Sequence, residues 1–250
     1  MARPLRVHIP GALYHVMSRG NARQAIFVGP EDYEYFLERL SVTTSRFGVR
    51  CRAYCLMYNH FHLLLEPNQL PISRMMQQLN SSYSQRFNCR HERVGHVLQG
   101  RFKALLIDRD DYFRRVLRYI VLNPVRASVV QHPADWPWSS YRATAGLVER
   151  PSFLALDDVW KAFEARDERR AQEIDADFVG AGAADDGDAP SGPSYTAAPH
   201  LSHASVSRLH ATTTCTISFT PSDSPSGRRS TSCSQTPPTR IPATRRCSRL

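Results

Sequence analysis

Three observations predict a ferredoxin-like α+β sandwich for residues 1–150. Apolar runs of strand character alternate with helical stripes in the order strand, helix, strand, strand, helix, strand. The two middle strands are joined by the two-residue turn Tyr58-Asn59, which makes them a hairpin. One more helix follows the last strand, expected near the face of the antiparallel sheet that the two crossover helices leave free.

Each element has its own warrant. Gly11-Ala-Leu-Tyr-His-Val-Met-Ser18 is a short apolar run stopped by Arg19-Gly20-Asn21, a strand and its turn. Pro30 opens a helix with Glu31 and Asp32 in its first turn, where the helix dipole favours acids, and Gly48 closes it. Tyr33, Phe36, Leu37, Leu40 and Phe47 are its buried stripe. Val49 to Met57 and the run from His60 are the hairpin strands. Pro71 starts the second crossover helix, apolar at Ile72, Met75, Met76, Leu79 and Tyr83, and leading into the basic stretch Arg86 to Arg93. Val97-Leu98 and Gly100 to Ile107 read as the last strand or strand pair.

Asp108 to Asp111 offer N-caps to the third helix, whose apolar pairs are Tyr112/Phe113, Val116/Leu117 and Ile120/Val121. Proline disfavours helical geometry in the residue before it, so this helix is expected to end at Asn123, with a short one beginning at Pro124. The aromatic loop Trp136 to Tyr141 is expected to pack over the core edge. Residues 151–182 form an extension in which 157–178 predict one amphipathic helix around Val159, Trp160, Phe163, Ile174 and Phe178. Residues 183–250 turn to Gly, Ala, Asp, Pro, Ser and Thr without periodicity and predict a disordered tail.

Composition narrows the function. Residues 1–150 hold 21 Lys/Arg against 11 Asp/Glu, whereas residues 151–250 hold 11 against 12. A basic first portion points to a polyanion, nucleic acid before membrane. Nearly all the basic residues are Arg, which forked phosphate contacts favour and which a GC-rich genome also produces. No run of apolar residues is long enough to span a membrane, and the first residues lack a signal-peptide core. The six cysteines form no Cys-x-x-Cys pair. A reduced, cytoplasmic, nucleoid-associated protein is expected.

The chemistry concentrates on two segments. In the strand beginning His60-Phe61-His62, alternate side chains face opposite ways, so Phe61, Leu63 and Leu65 share one face and the two histidines the other. Their Cβ atoms then stand roughly 7 Å apart, within reach of one metal ion. Ten histidines occur in the chain, and such a pair also arises by chance. On the third helix, Arg115, Arg118, Tyr119 and Leu122 share a side, with Asn123 one turn beyond Tyr119. Two imidazoles and an amide oxygen leave positions on a divalent ion for phosphodiester oxygens. A tyrosine hydroxyl, with its pKa near 10, becomes a nucleophile only beside a metal or cations. Tyr112, seven residues earlier on nearly the same side, is the rival nucleophile.

Five segments, in order, carry a resemblance: Tyr14 to Asn21 with Ile26-Phe27, Leu56 to Leu63, Gly100 to Lys103, Tyr119 to Ala127, and Trp136 to Tyr141. Together they resemble the IS200/IS605-type tyrosine transposases within the HUH single-strand nucleases, most closely the subgroup associated with repetitive extragenic palindromes (REP). The likeness spans about residues 7–145. It implies that His60 and His62 bind Mg²⁺ or Mn²⁺, that Tyr119 is the nucleophile, and that Asn123 helps hold the metal. The implied substrate is single-stranded DNA beside a REP-like hairpin, cut to a 5′-phosphotyrosine and a 3′-hydroxyl by a monomer or homodimer. Arg19, Arg101, Lys103, Arg115, Arg118 and Arg126 are the candidate contacts to DNA. Tyr58 stands where the family usually has Pro. Two other readings stay open: a domesticated protein that binds hairpins without cutting, and a metal hydrolase that uses water.

Overall fold

The computed structural model describes residues 8–107, 111–165 and 167–182. Its elements in chain order are β1 (Leu13–Arg19), α1 (Pro30–Phe47), β2 (Val49–Met57), β3 (His60–Pro67), α2 (Ile72–Arg90), β4 (Lys103–Ile107), α3 (Asp111–Arg126), α4 (Tyr141–Thr144), α5 (Asp157–Lys161) and α6 (Glu168–Ala181). The strands form one antiparallel sheet in the order β2-β3-β1-β4. That is the predicted ferredoxin-like sandwich.

Local chemistry fixes the helix ends. At the start of α1 the buried Asp32 carboxylate accepts from the backbone N–H groups of Val28 and Gly29 at 2.9 and 3.3 Å. Gly48 ends the helix with φ 59°, a left-handed conformation that glycine adopts without a side-chain clash. The face of β3 carrying Phe61, Leu63 and Leu65 is fully buried, and Phe61 meets Phe36 of α1 at a ring distance of 4.8 Å. Each such side chain contributes about 1.5–3 kcal/mol through the area removed from water.

The opposite face carries the histidines, and α3 lies over it. Phe113, Val116, Leu117 and Ile120 of α3 are all buried in the main core. The third helix thus lies on the face that the crossover helices leave free, near which the sequence places it, because the stripe on α3 needs somewhere to bury. Other elements differ from expectation. The third helix continues through Pro124 to Arg126 rather than ending at Asn123. Residues 157–178 hold two helices, not one: Glu164 turns into a left-handed conformation (φ 51°), and Asp167 caps α6 by accepting from the Arg170 N–H. Val97-Leu98 forms no full strand; Leu98 makes a single bridge to Gly20 ahead of β4.

The outer edge of β2 is closed by later chain. The backbone N–H of Leu56 donates to Trp138 O, Ser140 N–H to Tyr54 O, and Ala155 N–H to Cys51 O. Trp138 stacks on Tyr33 at 4.5 Å, so the aromatic loop does cover a core edge. The caps expected at Asp108 to Asp110 and the tail at 183–250 lie outside the described residues. Among the described residues no helix is long and apolar enough to cross a membrane.

Candidate active site

Strand register assembles the site. His62 pairs with Met17 of β1 on one side and Cys55 of β2 on the other; His60 pairs with Arg19 and Met57; Met17 in turn pairs with Lys103 of β4. Directly opposed residues share a face. His15, Met17, Arg19, His60, His62 and Lys103 therefore all lie on the face that α3 partly covers. The rings of His60 and His62 are 5.1 Å apart and nearly perpendicular. Tyr119 reaches down from α3 to place its ring 5.8 Å from His62 and 5.9 Å from His15, edge to face in both cases.

Burial governs the protonation of these groups. Desolvation pushes the His60 imidazole down to about 4, assisted by the Arg19 cation, and pushes His15 down to about 4 as well. His62 is held well below its ordinary value by burial first, then by His15, His60 and Arg19. All three are neutral near pH 7, the state in which an imidazole nitrogen can ligate a metal. Desolvation raises the Tyr119 phenol; Arg126 and Arg19 oppose this, and Tyr112 adds to it. The Arg126 guanidinium lies over the Tyr119 ring at 5.2 Å.

The donor set suits a divalent ion. A ring whose nitrogen is about 2.1 Å from a metal has its centroid roughly 3.2 Å from it, so two such ligands stand about 5 Å apart. The His60–His62 spacing meets that requirement. Among the described residues no group of three or more His, Cys, Asp or Glu side chains is placed to hold a metal. The pair thus supplies two ligands and leaves the rest to an amide, water or phosphate oxygen. Asn123 also supports its own helix. Pro124 has no N–H to give the Ile120 carbonyl, and the Asn123 Nδ2 group donates to Ile120 O at 3.3 Å and to Tyr119 O at 2.8 Å. Its amide thereby repairs the helix that carries the tyrosine.

The candidate basic residues divide by location. Arg19 and Lys103 are exposed on the histidine face, Arg101 is exposed just before β4, and Arg115 is exposed on α3. Arg118 is engaged inside the chain, its guanidinium 4.4 Å from the Phe178 ring of α6 and bonded to Phe178 O at 3.5 Å. The cations acting on Tyr119 are therefore Arg126 and Arg19, where the helical spacing had pointed to Arg115 and Arg118.

Two site residues escaped the sequence reading. His15 Nε2 lies 2.8 Å from His62 Nδ1, and Asn59 Oδ1 lies 2.7 Å from His60 Nδ1. The period-two pattern of Tyr14 to Arg19 puts His15 on the face of Met17 and Arg19, which was the available signal. What it could not give is the register of β1 on β3.

The site thus joins a ferredoxin-like sheet, a pair of histidines and a tyrosine-bearing helix within one stretch of the chain. Residues 9–123 match the model of the IS200-like transposase family. A solved structure of a REP-associated tyrosine transposase bound to a REP hairpin is similar over 62% of this chain and 92% of that one, at 19% identity and a TM-score of 0.51. It shares the fold. A candidate transposase from Deinococcus radiodurans is also similar, at 17% identity over 52% of this chain and 94% of that one, with a TM-score of 0.34. No curated protein matches.

Proposed function

We propose that this protein is a metal-dependent strand transferase acting on single-stranded DNA beside hairpins, with Tyr119 as nucleophile. The observation that carries the reading is the convergence of the Tyr119 ring, from one helix, on the His60–His62 pair of a sheet strand in the same chain. In this reading the Tyr119 oxygen attacks a backbone phosphorus, the bond to the 3′ oxygen breaks, and that oxygen leaves as a hydroxyl after taking up a proton. The phenol proton passes to solvent. The product is a 5′-phosphotyrosyl ester that keeps the energy of the broken bond, so a second 3′-hydroxyl can reverse the reaction without ATP.

His60 and His62, with the Asn123 amide oxygen, would hold Mg²⁺ or Mn²⁺. When bound, the ion polarises the phosphate and orients it for in-line attack. Imidazole ligands favour Mn²⁺ over the oxygen-seeking Mg²⁺. Arg126 and Arg19 stabilise the phenolate. The exposed Arg19, Arg101, Lys103 and Arg115 would hold the DNA backbone, and the likeness to a transposase solved with a REP hairpin supports hairpin-bearing DNA as the partner. A role in DNA recombination within the cytoplasm, at the nucleoid, follows from that substrate.

The test is a covalent-adduct assay with labelled single-stranded hairpin DNA and Mn²⁺, using the full chain. Wild type should give a denaturation-resistant protein–DNA band. Tyr119→Phe, His60→Ala and EDTA should each abolish it, while Tyr119→Phe keeps DNA binding. Binding without any adduct across several hairpins would instead support a domesticated hairpin binder. Cleavage that survives Tyr119→Phe would point to attack by water.

A further inference from the structure

We propose that Asn59 and His15 are positioning residues that hold His60 and His62 as Nδ1–H tautomers, so that both Nε2 lone pairs are presented to one divalent cation. The inference rests on the strand-transferase reading for its cation and specifies how the chain prepares the two ligands.

The side at His60 is fixed by the amide of Asn59. Its Nδ2 group donates to the Arg23 carbonyl at 3.1 Å, which sets which end of the amide is nitrogen. The other end, Oδ1, stands 2.7 Å from His60 Nδ1 and can only accept. His60 Nδ1 must therefore carry the proton, and Nε2 is left bare. Asn59 is itself held by the hairpin turn, where its own carbonyl accepts from the Gly20 N–H at 2.8 Å. A side chain at Gly20 would run into Gln24 O at 2.1 Å, so the turn from β1 fits closely against this support.

The side at His62 is fixed by His15. The two rings share one proton across the 2.8 Å contact between His15 Nε2 and His62 Nδ1. Were His15 the donor, the neutral His62 ring would carry its proton on Nε2 and could not bind a cation there. With His62 as donor, Nε2 is free, as at His60. His15 is fully buried and its Nδ1 meets no hydrogen-bond partner among the described residues. An imidazole in the core at such a cost is poorly explained by packing. Among the described residues its polar contact is with His62. Neighbours that occupy the second nitrogen of a metal-binding histidine set its tautomer, and losing one weakens metal affinity about 10–100-fold.

The experiment measures Mn²⁺ affinity by electron paramagnetic resonance and histidine tautomers by ¹⁵N NMR, the latter without metal for His60 and with Mg²⁺ for His62. Asn59→Ala and His15→Leu should each bind Mn²⁺ about 10–100-fold more weakly. Asn59→Asp and His15→Gln, which keep an acceptor oxygen, should recover most of the affinity; a merely structural role predicts no such split. Wild-type His60 should show its proton on Nδ1. Unchanged affinity in both the Ala and Leu variants, or a His60 proton on Nε2, would overturn this inference alone. A wild type that takes up no Mn²⁺ would overturn the strand-transferase reading and this inference with it.

Discussion

In the proposed reaction Tyr119 must shed a proton to attack phosphorus, and the structure sets opposing influences on that proton. Burial against His15 and His62 raises the phenol, while Arg126 over its ring and Arg19 from the sheet lower it. Removing the nearer cation should reduce the phenolate fraction at a given pH. Arg126→Leu is expected to slow adduct formation roughly tenfold at neutral pH, with recovery as pH rises. A rate loss that persists unchanged to high pH would show that Arg126 acts elsewhere. A second buried acid gives a stability prediction. Burial raises Asp175 of α6 to about 7, against 3.8 for the free group. The folded state then holds a proton that the unfolded state releases, so this residue makes stability fall as pH rises from about 4 to 7, and level off above. Asp175→Asn should flatten that slope and raise stability at pH 8 by on the order of 2–4 kcal/mol in thermal or urea unfolding. At this scale the sequence singled out His60, His62, Tyr119 and Asn123 as candidates, because each stands in a local pattern. It did not show His15, whose partner lies 47 residues away and depends on strand pairing. Arg126 was visible only as a basic residue, since Pro124 suggested a break between it and Tyr119.

Among elements, the strands and crossover helices were legible because their boundaries are written in Pro30, Gly48, the Tyr58-Asn59 turn and Pro71. The elements read less well are those whose geometry depends on tertiary repair. α3 runs through Pro124 because the Asn123 amide takes over an orphaned carbonyl, and because its stripe is buried on the sheet. The 157–178 segment breaks at Glu164 although its apolar positions keep a helical period across the gap. The short α5 is tied to β2 by charge. Arg52, only 2% exposed, donates to the buried Glu66 at 2.7 and 3.1 Å and also pairs with Asp158 of α5. A β-bulge between Cys51 and Ala53 interrupts the register at this arginine. Arg52→Leu leaves Glu66 buried with fewer partners and should cost about 3–5 kcal/mol of stability by urea unfolding. The double variant with Glu66→Leu should recover part of it; an Arg52→Leu protein as stable as wild type would show that the extension is held by apolar contacts alone.

For the molecule as a whole, the division of labour follows the sheet. One face, packed on α1 and α2, is apolar and supplies stability. The other presents neutral histidines, a half-buried tyrosine and a rim of arginine and lysine, and is the proposed seat of the chemistry. That division was readable from the alternation in His60 to Leu65, which is half core and half site. The degree of cover was not, because the docking of α3 is a choice among surfaces that a one-dimensional pattern does not rank. The central claim is that Tyr119 becomes covalently joined to DNA, and tandem mass spectrometry of the nuclease-trimmed, protease-digested adduct tests it most directly. The account predicts a nucleotide phosphate on the Tyr119 oxygen. The modification on Tyr112 instead, or an adduct peptide lacking both tyrosines, would contradict it.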